Sequence, residues 1–177
     1  MSAPALVALG SNLGDRAARL GAAAAALGRL PRTRLLACSR WRESVPEGAG
    51  DGDPYLNGAA LLLTGLGPRE LLEELLALER RGGRARRRGS RARTLDLDLI
   101  LYGEQRRHEP DLVLPHPRFR GRAFVLEPAA EVAPGLRDPV SGKTLAQLWT
   151  LIRGGLRLGG GECGRRAVHG ADLHESA

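Results

Sequence analysis

Apolar residues in this chain recur at two spacings, every second position in some stretches and every third or fourth in others. Ala5–Leu9 (ALVAL) is a short apolar run closed by Gly-Ser-Asn-Leu-Gly-Asp, which predicts a strand and a turn. Asp15 stands where an N-cap belongs, ahead of a helix with Leu20, Ala24 and Leu27 on one face, ended by Pro31. Arg34–Arg42 reads as a second strand. The stretch ESVPEGAGDGDP is a loop by composition, and Tyr55–Thr64 is a third strand. Pro68 occupies a first helical position, opening a helix whose apolar face is Leu71, Leu72, Leu75, Leu76 and Leu78. An arginine-rich loop follows.

The next stretch, Arg93–Gly103 (RTLDLDLILYG), has period-two patterning. Leu95, Leu97, Leu99 and Leu101 alternate with Thr94, Asp96, Asp98, Ile100 and Tyr102. In a strand, residues i and i+2 point the same way, so Asp96 and Asp98 share a face, roughly 6–7 Å apart at the backbone. The element order is β-α-β-β-α-β. It predicts an α/β (α+β) fold with a ferredoxin-like core, a mainly antiparallel sheet and helices on one face. FVLEPAAEVAP and TLAQLWTLIRG predict C-terminal helical additions. From Gly154 the chain turns Gly-rich and polar, so residues 1–153 are expected to form one domain and 154–177 a disordered tail.

A length of 177 residues and 42% hydrophobic content fit one globular domain. The net charge of +7 rests on arginine, since Lys143 is the sole lysine, and it points to a polyanionic partner. Two isolated cysteines, Cys38 and Cys163, give neither a disulfide framework nor a zinc site. With no signal peptide and no run of membrane-spanning length, the expectation is a cytoplasmic protein with no membrane partner.

Two carboxylates on one strand face can be a solvated surface neutralised by arginines. They can also be a magnesium site, because Mg²⁺ takes one or two carboxylates plus phosphate oxygens and water. Eight of the fourteen residues in Arg80–Arg93 are arginine. The segment can be a solvated loop, a nucleic-acid contact, or a lid whose guanidinium forks close on a polyphosphate. It has no aromatic residue for base stacking, which makes a nucleic-acid partner the weaker reading. Asn57, on a hydrophobic strand, must find hydrogen-bond partners and can read a planar heterocycle through its amide. His116 is held between Pro115 and Pro117, in a loop charged by Arg118, Arg120 and Arg122. Gly10–Arg16 lacks the Lys-Ser/Thr ending of a phosphate loop. Ser141–Thr144 has that ending without the upstream glycine, so Thr144 reads as a helix cap.

Taken in order and spacing, ALGSNLGDR, DPYLNGA, GRARRR…RTLDLDLILYG and LPHPRFRGRAFVLEPAAEVAP resemble the 6-hydroxymethyl-7,8-dihydropterin pyrophosphokinases of folate biosynthesis, from about Leu6 to Leu148. The resemblance implies a ferredoxin-like fold. It implies transfer of pyrophosphate from ATP to the hydroxymethyl group of a reduced pterin, with AMP released. Under it, Asp96 and Asp98 correspond to ligands of two Mg²⁺ ions. Arg84 and Arg93 would be catalytic arginines on the phosphates. Glu79, Arg84, Arg86, Arg93, His116 and Arg122 fall at ATP-binding positions, and Ser44, Tyr55, Asn57 and Phe124 in the pterin pocket. A monomer is implied. The family usually shows Arg-Trp-Gly-Pro-Arg ahead of Thr-Leu-Asp-Leu-Asp, where this chain has Gly89-Ser90-Arg91-Ala92-Arg93. Val45 and Glu47 stand where apolar residues or prolines edge the pterin pocket. Two other readings stand beside it: a basic RNA-binding module on the same fold, which would not need the aspartate pair, and a ligand-binding member with weakened activity.

Overall fold

The computed structural model describes residues 2–45, 53–82 and 94–158, the side chains of 156–158 excepted. In chain order the elements are β1 (Ala3–Ser11), α1 (Arg16–Leu27), β2 (Thr33–Cys38), β3 (Arg42–Ser44), β4 (Tyr55–Thr64), α2 (Pro68–Arg81) and β5 (Asp96–Tyr102). They are followed by β6 (Arg107–Glu109), β7 (Leu112–Leu114), a 3₁₀ turn (Phe119–Gly121), α3 (Ala123–Val132) and α4 (Leu145–Leu158). The fold is mixed α/β. Its main sheet runs β2-β4-β1-β5, β3 also pairs with β4, and every pairing is antiparallel.

Local signals act where the pattern places them. Asp15 Oδ1 accepts from the Ala18 N–H at 3.0 Å and caps α1. Pro68 opens α2, and the Glu70 carboxylate accepts the Gly67 N–H at 2.6 Å. Thr144 caps α4 reciprocally with Gln147, each side chain accepting the other's backbone N–H.

Beyond the added hairpin β6–β7, four findings differ from the sequence pattern. First, the second strand is two strands. The chain breaks at Ser39, whose hydroxyl accepts the Ala59 N–H at 2.9 Å, and Trp41 folds against Gly58. A Cβ on Gly58 would lie 2.4 Å from the Trp41 ring, so only glycine permits this packing.

Second, helices cover both sheet faces. Leu20 and Leu27 of α1 and Leu71 and Leu75 of α2 pack on Val7, Leu9, Leu62, Leu97 and Leu99. Leu126 of α3 and Leu145 of α4 pack on Leu6, Ala59, Ile100 and Leu101. The near-continuous apolar runs of β1 and β4 answer to this double burial.

Third, the alternation in β5 ends at a bulge. Leu99 pairs with Val7 and Leu101 with Leu6, leaving Ile100 as the extra residue. Ile100 and Leu101 therefore both join the α3/α4 core, while Tyr102 joins the other. Fourth, α4 runs through Gly154 and Gly155 to Leu158, past the expected start of the tail; residues 159–177 lie outside the described residues.

Candidate active site

On the α3 side of the sheet, beyond the apolar core, lies a cleft of about 410 Å³. Its floor is built by register. Gly10 of β1 pairs with Asp96 on one side and Asn57 on the other, and Ala8 pairs with Asp98 and Ala59. These residues point to the face opposite Val7 and Leu9, so the floor holds almost no side-chain bulk between the acid pair and Asn57. A Cβ on Gly10 would stand 3.5 Å from Asn57 Oδ1 and 3.9 Å from the Asp96 Cβ, in the floor itself. Asp96 and Asp98 thus share one face, as the alternation requires; the bulge falls after them.

One wall carries the planar-ligand candidates: Ser44, Tyr55, Asn57 and Phe124 all line the cleft. Asn57 is buried, and its Nδ2 donates to Ser44 Oγ at 2.8 Å. The Oδ1 acceptor is thereby turned toward Gly10 and the cleft floor. β3, which carries Ser44, is short, and ion pairs tether it to α3: Arg42 reaches Glu131 at 2.6 Å and Glu127 at 3.2 Å. Arg16, from the Gly-Ser-Asn-Leu-Gly-Asp-Arg motif, donates to the Pro54 carbonyl and to Glu43, each at 2.7 Å. It links Glu43 of β3 to the residue that precedes β4. Ser11 of the same motif is buried and donates to the Thr94 carbonyl at 2.7 Å, fixing the approach to Asp96.

The other wall is basic. His116, Arg118 and Arg122 line it. The β5 bulge contributes directly, since the Ile100 carbonyl accepts the His116 N–H at 2.9 Å. Burial pushes the His116 imidazole below its usual range; nearby Asp98 opposes this, and Arg122 and Arg118 add to it. The shift favours the neutral ring. Its Nδ1 accepts the Arg118 N–H at 3.3 Å, so the proton sits on Nε2, a donor suited to an anionic oxygen. Arg122 lies over the Phe124 ring, 5.5 Å from its centroid, where the two walls meet at the start of α3.

Eight of the residues expected in the site therefore converge: Ser44, Tyr55, Asn57, Asp96, Asp98, His116, Arg122 and Phe124. Glu79 does not join them. It is buried and accepts the Leu97 N–H at 2.8 Å, bracing β5 between the two aspartates. It takes the third place in the stripe Leu71, Leu75, Glu79, a carboxylate at a core period, which is the signal for such a brace. Arg84, Arg86 and Arg93, and the expected lid over 84–92, lie outside the described residues. Sequence reading assigned no place to Gly10 or Ala8 and named Arg118 only as charge in the His116 loop; all three line the cleft. A small residue at every second place on β1 beside the aspartate strand was the available clue.

An acid pair, a basic wall and a wall of polar and aromatic side chains thus face one cleft. A family model described as 7,8-dihydro-6-hydroxymethylpterin-pyrophosphokinase matches residues 6–134. A 2-amino-4-hydroxy-6-hydroxymethyldihydropteridine pyrophosphokinase of Pseudomonas aeruginosa is 46% identical over 142 residues, 80% of this chain and 87% of that one. Its counterpart from Synechocystis sp. is 42% identical over 165 residues, covering 88% and 84%. A Plasmodium falciparum HPPK-DHPS structure superposes with a TM-score of 0.70 at 11% identity, over 90% of this chain and 47% of that one. The chain spans under half the length of that structure, and the likeness concerns the fold. The protein belongs to the 7,8-dihydro-6-hydroxymethylpterin-pyrophosphokinase family.

Proposed function

We propose that this chain transfers pyrophosphate from ATP to the hydroxymethyl group of 6-hydroxymethyl-7,8-dihydropterin and releases AMP, in folate biosynthesis. The observation that carries the reading is the floor: Asp96 and Asp98 on one face, with only Gly10 between Asp96 and Asn57. A pterin on the Tyr55, Asn57 and Phe124 wall would place its hydroxymethyl group toward the acid pair. Asn57 Oδ1 accepts from the pterin's ring N–H or amino group, and Phe124 stacks on the ring. The triphosphate lies along His116, Arg118 and Arg122. The four long strands with α1 and α2 are the ferredoxin-like core of this reading, and α3 and α4 its additions.

The donor set fits Mg²⁺. Among the described residues no cluster of three or more His, Cys, Asp or Glu forms a closed metal cage. A two-carboxylate site completed by phosphate oxygens and water is what this ion favours. Asp96 and Asp98 would hold it, two ions being proposed, and when bound it neutralises triphosphate charge. The protein's own share is orientation. The walls hold the hydroxyl in line with the β-phosphorus. The new bond joins the pterin oxygen to that phosphorus, and the bridge to the α-phosphate breaks. The cleft's arginines and neutral His116 hold the phosphate oxygens as charge shifts to AMP. Arg84, Arg86 and Arg93 are proposed to close from outside. The protein is proposed to act as a cytoplasmic monomer. Among the described residues no helix is long and apolar enough to cross a membrane. Helices pack on both sheet faces, and the part of the sheet left open among the described residues is the cleft carrying the acid pair, which an RNA-binding module would not need.

Incubation with ATP, Mg²⁺ and the hydroxymethyl dihydropterin, followed by nucleotide chromatography, tests the reading. AMP formation dependent on the pterin is expected; pterin-dependent ADP would overturn it.

A further inference from the structure

Arg118, Arg120 and Arg122 alternate along the segment between β7 and α3, yet they have different destinations. Arg118 and Arg122 line the cleft. Arg120 instead passes over the buried Phe119 ring, 4.8 Å from its centroid, and forks onto Asp138. Its Nε reaches Oδ2 and its Nη2 reaches Oδ1, both at 2.7 Å. Asp138 is fully buried and lies in the turn between α3 and α4. Its remaining acceptor capacity is filled by the Val140 N–H at 3.1 Å, the Ser141 N–H at 3.1 Å and the Ser141 hydroxyl at 2.5 Å. The turn is itself closed by Asp138 N–H to the Lys143 carbonyl and Gly142 N–H to the Asp138 carbonyl. This is the Ser-Gly-Lys-Thr stretch whose ending imitates a phosphate loop. Here it forms a rigid socket for one arginine.

A buried carboxylate with every acceptor used, opposite a bidentate guanidinium, is a fixed point rather than a solvated surface pair. It grips the cleft segment midway between the two arginines that enter the cleft. We infer that Arg120 and Asp138 are positioning residues: they hold the His116–Arg122 segment in the shape that presents Arg118 and Arg122 to the anionic co-substrate. The turn between α3 and α4 thus sets nucleotide affinity without touching nucleotide. What the arginines bind rests on the proposed function; the tether itself does not.

The test uses the full chain with Arg120→Met, Arg120→Lys and the milder Ser141→Ala. Amide hydrogen exchange of the ligand-free proteins reads the tether. Exchange across residues 117–122 should rise at least about tenfold in Arg120→Met and return most of the way in Arg120→Lys. Steady-state kinetics read the consequence: KM for ATP should rise about tenfold in Arg120→Met while KM for the pterin stays within about twofold. Should Arg120→Met fail to fold, Ser141→Ala is expected to show the same pattern at smaller amplitude. Unchanged exchange in the folded variants overturns the tether. Faster exchange with unchanged KM for ATP, or with both KM values raised together, overturns the positioning role. A wild-type protein that forms no pterin-dependent AMP would instead refute the proposed function, and the exchange result would still decide the tether.

Discussion

The two faces of the sheet are made from the same strands and do opposite work. On the α1/α2 face, Val7, Leu9, Leu97 and Leu99 meet Leu20, Leu27, Leu71 and Leu75 in a sealed apolar layer. On the α3/α4 face, the residues between them are Ala8, Gly10, Asp96 and Asp98. There the apolar core covers only part of the sheet, and beyond it the small residues leave a cleft. One pleat thus carries core on its odd positions and chemistry on its even ones. The cleft floor and the core beneath it are thus opposite faces of the same strands.

That contrast can be broken in a definite order. Asp96→Asn or Asp98→Asn removes a charge at nearly constant shape on the cleft face. Turnover should fall about a thousandfold or more, because charge neutralisation dominates such sites. Melting temperature should hold or rise slightly, since a like-charge pair is relieved. Steady-state AMP production and a thermal melt on the same sample check both halves.

Leu75→Ala probes the opposite face. It should cost about 2–5 kcal/mol of stability, with little change in either KM for the folded fraction. Urea unfolding measures the first and initial rates the second. A large KM change with little lost stability would mean the faces are not separated as described.

Gly10→Ala lies on the cleft floor. The added methyl meets Asn57 and Asp96 at ordinary contact distances, so the fold should accept it. It should nevertheless raise KM for the pterin about tenfold, by occupying space in the floor. Ser44→Ala frees the Asn57 amide from its partner at 2.8 Å. The loss of one hydrogen bond, about 1 kcal/mol, predicts roughly a fivefold weaker pterin KM and a melting temperature within a few degrees.

The smallest effect is on pH. Burial alone would raise the Asp138 carboxyl, but Arg120, the Ser141 hydroxyl and the Val140 and Ser141 N–H groups hold it well below the usual carboxylate range. A depressed folded-state pKa contributes stability that is complete above the unfolded value of about 3.9 and lost as pH falls through the folded one. Wild type should therefore exceed Asp138→Asn in stability by a constant margin from pH 7 to about pH 4, and the margin should shrink only in stronger acid. A margin that disappears between pH 7 and pH 5 would contradict the assignment.

Particular residues show how much of this was legible in the chain. Period two in β5 put Asp96 and Asp98 on one face because each leucine must face a core, and that holds wherever the strand lies. Asp15, Pro68 and Thr144 act over one helical turn, so their roles follow from neighbours in sequence. Long-range choices were not legible. The α3/α4 layer over the second face depends on elements that start at Ala123 and Leu145, well downstream of the end of β5 at Tyr102, and only the unbroken apolar runs of β1 and β4 hinted at it. Likewise, Arg118, Arg120 and Arg122 look equivalent as sequence. Which two enter the cleft is decided by a carboxylate about eighteen residues away.

By itself, then, the sequence determined what its local rules reach: the order of the long strands and the helices, the helix starts, the shared face of the aspartates, and through its motifs the family. Tertiary structure alone decided where alternation stops. The Ile100 bulge forms because β5 must pair with β1 while Leu101 enters the second core. The same irregularity leaves the Ile100 carbonyl to hold the His116 N–H. It decided too that Glu79, a charge by type, is buried and braces the Leu97 N–H. The physical reason is common to all three. A backbone or carboxylate group taken out of water must be paired, and its partner is fixed only when distant segments meet.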